Sequence, residues 1–229
     1  MFHAVALVRS VAVSSALPWL LIAVGSYLLG SIPFGYLAGR LCGVDIRTQG
    51  SGNIGATNAL RVLGKKWGYA VFILDFLKGW LPVKLALGWG IALMVHPASA
   101  PGALAGLFVL LGHSFPIWLG FKGGKGIASS AGVIVALFPE AFLVCLGTWL
   151  LVFTTSRYVS AASIAAAVAL PTAVLFLYLT HRADWLALAV SIAMCSLAVW
   201  RHRSNIARLR AGTEPRFEKK SGGAKNEHP

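Results

Sequence analysis

From residue 17 to residue 200 the chain is a succession of seven apolar runs parted by short polar connections. The runs at 17–38, 69–95 and 101–119 are long enough to cross a bilayer, because about 20 residues of helix span a hydrocarbon core of roughly 30 Å. Within that core backbone amides must be satisfied internally, and runs of this length do so as helices. The pattern predicts an all-α polytopic membrane protein of one domain over 1–218, with a disordered basic tail at 219–229. Of the 229 residues 57% are hydrophobic and only 12% charged, about half the charged share of a soluble domain.

The runs are not uniform. The first contains Pro33, which removes a backbone hydrogen bond and is expected to kink its last third; Gly25, Gly30, Gly35 and Gly39 are spaced for close helix approach. The second, 27 residues or about 40 Å of helix, holds Asp75, Lys78, Pro82 and Lys84. Asp75 and Lys78 lie one turn apart and are expected to form a structural intramembrane pair. The fourth run, 127–138, gives only about 18 Å of helix, and Pro139 and Glu140 separate it from a fifth at 141–155. The sixth and seventh lie at 160–180 and 185–200. Residues 1–13 read as a short apolar leader without a cleavable signal.

A net charge of +13 would suggest nucleic acid in a soluble chain; here it becomes a question of sidedness. With seven crossings, the loop at 39–68, the turn at 120–126, the Arg157 connection and the C-terminal segment share one side, and they carry sixteen of the 20 Lys and Arg. Only Arg9 and Arg182 fall opposite. That bias predicts an outside N-terminus and a cytoplasmic C-terminus, with no role for nucleic acid.

The polar segments on that face are also the ones rich in glycine and amides. SGNIGATN at 51–58 is followed by Arg61, Lys65 and Lys66. Glycines beside hydroxyl and amide groups can turn N–H donors toward an anion, and a helix capped by Thr57 or Asn58 would add orphan amides near Arg61. A plain interhelical turn explains the loop equally well. The turn from Phe121 through Lys122, Gly123, Gly124, Lys125 and Gly126 offers a second anion site ahead of a helix N-terminus, although it lacks the spacing of a P-loop. Ser160 and Ser163 after Arg157, and Asn205 among Arg201, His202, Arg203 and Arg208, reach the same face. Interfacial charge accounts for the arginines and lysines there, but not for the glycines, Asn53, Asn58 or Asn205.

No HExxH, cysteine cluster, grouped carboxylates or GxSxG occurs, so hydrolytic metal chemistry has no support. Cys42, Cys145 and Cys195 have no metal or disulfide spacing. What is left is a pocket of cations and neutral donors beside lipid. It suits a substrate with a phosphate and an acyl tail, and a reaction dependent on charge stabilisation. His113 and His202 are the histidines near that face; each has a plainer reading, His113 as a helix-end hydrogen bonder and His202 as interfacial charge.

Taken together, GSIPFGYLAG at 30–39, SGNIGATNALRVLG at 51–64, DFLKG at 75–79, GHSFPIWLGFKGGKGIA at 112–128, RYVSAAS at 157–163 and RHRSNIARLRAGTE at 201–214 resemble the bacterial membrane acyl-phosphate:glycerol-3-phosphate acyltransferases (PlsY-type). The resemblance covers nearly everything from about residue 20 to residue 218. It implies seven helices, motifs facing the cytoplasm at the inner membrane, and transfer of a fatty acyl group from acyl phosphate to the 1-hydroxyl of sn-glycerol 3-phosphate. The products are 1-acyl-glycerol 3-phosphate and inorganic phosphate, in the first acylation of phospholipid synthesis. It implies no cofactor and no metal; the partners are the two substrates, membrane lipid and, as a candidate, the enzyme that makes acyl phosphate.

By the same resemblance Ser51, Gly52, Asn53, Gly55, Thr57, Asn58 and Arg61 line both substrate sites, and Lys122, Gly123, Gly124, Lys125 and Gly126 contact the donor phosphate. Ser160, Ser163 and Asn205 contact substrate. His113, Ser51, Asn205 and His202 are the catalytic candidates, and Glu214 holds loop structure. The remaining alternatives are an acyltransferase of the same shape using acyl-CoA and a transporter of a phosphorylated metabolite; the latter fits Pro33 and Pro82 but lacks a visible inverted repeat.

Overall fold

The computed structural model describes residues 16–217, and every regular element among them is helical. The leader expected at 1–13 and the tail expected at 219–229 lie outside the described residues. Ten α-helices follow in order: α1 Ala16–Ser31, α2 Phe34–Leu41, α3 Ala56–Leu63, α4 Lys65–Ala92, α5 Ala100–Ser114, α6 Ile127–Leu137, α7 Pro139–Ser156, α8 Val159–Leu179, α9 Trp185–Arg201 and α10 Arg203–Arg210. The seven runs read from sequence correspond to α1 with α2, then α4, α5, α6, α7, α8 and α9. By length and composition four spans are fit to cross a membrane, with a fifth if α9 and α10, bent by 55°, count as one. Helix α6 is short and α4 carries three internal charges, Asp75, Lys78 and Lys84.

Local chemistry sets most of the boundaries. Proline occupies the first turn of α5 and of α7, where a missing N–H costs nothing. Asp184 caps α9 by accepting the Ala187 amide at 2.9 Å, and it also accepts the Ser99 hydroxyl at 2.7 Å, tying two connections together at one end of the bundle. Proline is handled in two ways. At Ile32–Pro33 the helix is interrupted and α2 starts afresh at Phe34, while Ala16–Leu41 remains one span, as a kink at Pro33 would leave it. Pro82, by contrast, is absorbed inside a continuous α4, and Lys84 on that helix is exposed.

The helices meet where side chains are smallest. A Cβ on Gly30 would collide with the Val109 carbonyl of α5, and one on Gly112 with Tyr27 of α1; Gly79 and Gly132 bring α4 and α6 together in the same manner. Such contacts compensate for the lack of a hydrophobic drive between helices in lipid. Gly25 departs from the expected stripe, with nothing within 4 Å of its added Cβ. It lines an apolar groove of about 340 Å³ between α1 and α4, with Leu21, Leu29 and Trp89 among its walls. Val71, Val83, Val109, Val133 and Val174 are fully buried, whereas Leu20, Leu21, Leu85, Leu151 and Leu179 are exposed. An outer surface of leucine around a core of small residues is the pattern of a helix bundle facing hydrocarbon.

Candidate active site

The loop 49–55 hangs between the 3₁₀ turn Ile46–Thr48 and α3. Its order comes from two asparagines. Asn58, 2% exposed, accepts the Ser51 amide at 2.9 Å and donates to the carbonyls of Ile46 at 3.2 Å and Gln49 at 3.1 Å. Asn53 accepts the Gly55 amide at 2.8 Å. Helix α3 therefore begins at Ala56 with Gly55 as its cap residue, in place of the Thr57 or Asn58 cap expected from sequence. The Asn58 side chain is turned back into the loop, and the residue itself already lies inside the first turn of α3. Ser51, Gly52 and Arg61 are exposed, and Asn53, Gly55 and Thr57 half-buried.

The second turn is bound just as tightly. The amides of Gly123 and Gly124 donate to the carbonyls of Ser114 and His113 at 3.2 and 3.1 Å. From the other side Arg201 donates through Nε to the Gly124 carbonyl at 3.0 Å and through Nη2 to the Gly123 carbonyl at 2.6 Å, its guanidinium lying over Phe115 and Trp200. The Gly123 and Gly124 amides are thus spent on internal carbonyls, which corrects the expectation that they face a phosphate. Gly126, at φ +77°, turns the chain into α6. Lys122 is exposed.

Lys125 points at the third segment. Its ammonium donates to Asn205 Oδ1, and Asn205 Nδ2 donates to Glu214 Oε1 at 2.7 Å. Glu214 also accepts the Ser160 hydroxyl at 2.6 Å and Arg208 Nε at 2.7 Å. Burial would raise the Glu214 carboxyl, but the hydrogen bonds from Ser160, Asn205 and Arg208 outweigh it and hold it below its usual range. Burial lowers Lys125 to about 8; Glu214 opposes the shift, while Arg208, Arg201 and Arg61 add to it. Arg61 from α3 and Arg201 and Arg208 from the last two helices thus form one cationic cluster about Lys125, with Arg208 bonded to Glu214.

The expected residues divide on this geometry. Lys125, Asn205, Ser160 and Glu214 share one network, with Arg61 nearby. Ser163 lies apart, donating to the Val159 carbonyl at 2.8 Å and accepting Trp149 Nε1 at 3.3 Å. His113 is 3% exposed, with Nδ1 3.2 Å from the Ser129 hydroxyl and Nε2 against Gly124, where a Cβ would collide with it. His202 is 2% exposed, its Nδ1 2.7 Å from the Ala198 carbonyl. Both rings are packed beneath the cluster. Arg201 is the residue that sequence reasoning passed over: at the head of a basic run it reads as interfacial charge, although its position in RHRSN marks the end of a helix next to Asn205. Among the described residues no three His, Cys, Asp or Glu side chains converge as a metal site would require.

Residues 20–212 match the family described as glycerol-3-phosphate acyltransferase. Among curated relatives, the glycerol-3-phosphate acyltransferase of Geobacter metallireducens is 50% identical over 87% of this chain and 97% of its own. That of Synechococcus sp. strain CC9902 is 48% identical over 88% and 96%. The chain is also similar to crystal structures of PlsY, an integral membrane glycerol 3-phosphate acyltransferase, in a glycerol 3-phosphate form and a lysophosphatidic acid form. Their TM-scores are 0.79 and 0.76, at 44% identity over 88% of this chain and 96% of theirs.

Proposed function

The chain belongs to the glycerol-3-phosphate acyltransferase family, and from that membership we propose that it moves a fatty acyl group from acyl phosphate to the 1-hydroxyl of sn-glycerol 3-phosphate. The products are 1-acyl-glycerol 3-phosphate and inorganic phosphate, and the step is the first acylation of phospholipid biosynthesis. The observation that carries this reading is the network in which Lys125 bonds Asn205 while Asn205 and Arg208 bond Glu214, with the charges of Arg61 and Arg201 acting on Lys125. Such a field suits two phosphorylated reactants held side by side, and the apolar groove between α1 and α4 suits a hydrocarbon tail. The solved relatives bind the acceptor and the lysophosphatidic acid expected of this reaction.

In the proposed step the glycerol hydroxyl oxygen attacks the acyl carbonyl, the bond from that carbon to the phosphate oxygen breaks, and inorganic phosphate leaves. Acyl phosphate is a mixed anhydride with a good leaving group, so the protein's contribution is to hold the reactants together and stabilise the departing charge. Lys125 is the cation best placed for that charge. The hydroxyl proton passes to a phosphate oxygen of a substrate. In support, Glu214 is already occupied by Ser160, Asn205 and Arg208, and His113 and His202 are buried.

The same reading puts the cluster at the cytoplasmic leaflet of the bacterial inner membrane, with seven crossings and the N-terminus outside, because nearly all the Lys and Arg gather on that face. Purified protein in lipid, given glycerol 3-phosphate and either acyl phosphate or acyl-CoA, tests the reaction. Lysophosphatidate is expected from acyl phosphate alone; product from acyl-CoA, or uptake into vesicles without product, overturns the donor or the whole reading.

A further inference from the structure

The buried ion pair of α4 has no part in the step above, yet its surroundings connect it to both halves of the cluster. Asp75 and Lys78 are 2% and 7% exposed, with the ammonium 2.7 Å from Asp75 Oδ1. Lys78 Nζ also donates to the Ile32 carbonyl at 2.7 Å, and it lies 5.3 Å from the centre of the Phe34 ring. Both contacts fall on the break between α1 and α2. Helix α2 leaves that break with Gly35 so close to Ile54 that a Cβ would overlap the Ile54 carbonyl oxygen. Ile54 is the centre of SGNIGATN, so Lys78 fixes the joint from which the first loop is set.

Asp75 faces the helix end that supports the other loop. Its Oδ1 lies 3.8 Å from His113 Nδ1, the nitrogen that also meets the Ser129 hydroxyl. The same histidine carries the second turn: its carbonyl accepts the Gly124 amide, and its ring packs against Gly124. At this level α4 and α6 are pressed together, Gly79 lying directly on the Ser129 carbonyl. A continuous set of close contacts thus runs from Ile54 through Gly35 and the helix break to Lys78, Asp75, His113 and Gly124.

We propose that Asp75 and Lys78 are positioning residues, a buried strut that sets the separation of the SGNIGATN loop from the GGKG turn and with it the registry of the two phosphate-binding halves. A charge pair is suited to this. Its two members need each other to be tolerated in the membrane, and each faces the support of a different loop: Lys78 bonds the Ile32 carbonyl at the helix break, and Asp75 lies 3.8 Å from His113 Nδ1. The alternative is that the two charges merely neutralise one another, in which case removing both together leaves the site intact. The inference rests on the proposed reading of these loops as one reaction site, so its test includes a measurement that does not depend on turnover.

The variants are Asp75→Asn, Lys78→Met and the double substitution, prepared as full-length protein in nanodiscs. Turnover is followed with glycerol 3-phosphate and acyl phosphate. In a parallel set Ser51→Cys and Lys122→Cys carry spin labels, the native cysteines having been replaced by alanine, and the distance between the loops is read by double electron resonance. The double variant is expected to melt within a few degrees of the wild type, to broaden the distance distribution between the loops, and to keep kcat/KM at least tenfold down. A double variant with wild-type turnover and an unchanged distribution overturns the proposal in favour of simple neutralisation. Lost turnover with an unchanged distribution overturns it as well, and a double variant that cannot fold assigns the pair to folding instead. A broadened distribution with wild-type turnover upholds the strut and removes the two loops from the reaction site.

Discussion

Replacing Asn58 by alanine is the most exacting test of how the first loop is built. The side chain makes three hydrogen bonds, all to the stretch 46–51. Their partners are not equivalent. Ile46 is fully buried, so its carbonyl loses a partner that water cannot replace, at a cost of about 1–3 kcal/mol. Ser51 and Gln49 are exposed and re-solvate, so each of those bonds is worth only about 0.5 kcal/mol net. The sum is roughly 2–4 kcal/mol, and it falls on the order of one loop, since the helix carrying Asn58 loses none of its own backbone bonds. If the ordered loop is the form that binds glycerol 3-phosphate, the lower bound of about 2 kcal/mol becomes about a 30-fold loss in kcat/KM for that substrate. The melting temperature in detergent should fall by only a few degrees. Asn53→Ala is the internal scale: it removes one bond, from the half-buried Gly55 amide, and should cost about 1 kcal/mol, or fivefold. Steady-state kinetics with glycerol 3-phosphate varied at saturating donor gives the answer. Asn58→Ala within threefold of wild type, with Asn53→Ala the more damaging, would show that the ties from Asn58 do not order the site and that Asn53 meets substrate itself.

Two further outcomes follow from the second turn. Because Lys125 titrates at about 8, it is a cation below that pH and neutral above it; kcat/KM should be level up to pH 8 and then drop roughly tenfold per unit as the phosphate-binding charge is lost. The pH profile of Lys125→Met should lack that drop, and its persistence there would assign the titration to another group. Gly124→Ala places a Cβ on His113 Nε2 in a buried site and should destabilise by about 1–3 kcal/mol through overpacking, with turnover falling alongside. Gly88→Ala, whose Cβ meets nothing within 4 Å, should be neutral or slightly stabilising; differential scanning fluorimetry of the two variants separates packing from helix propensity.

The apolar runs alone determined that this chain is helical and lives in a membrane, because a polar backbone in hydrocarbon leaves so few choices. The i, i+3 spacing of Asp75 and Lys78 likewise foretold a pair, and Pro139 the division between α6 and α7. These are local or solvent-imposed rules, and residue order carries them in full. What the sequence could not carry is which group each donor and acceptor meets across the bundle. Asn58 reads as a cap or a ligand, yet it is spent on Ile46, Gln49 and Ser51; the Gly123 and Gly124 amides read as an anion cradle, yet they bind the carbonyls of Ser114 and His113. Arg201 reads as interfacial charge until the Gly123 and Gly124 carbonyls are found beside it, 78 and 77 residues away in the chain. Long-range partners of this kind are chosen by how glycine-lined helices come together, so only the packed bundle decides which polar atoms are consumed in holding the site and which remain for a substrate.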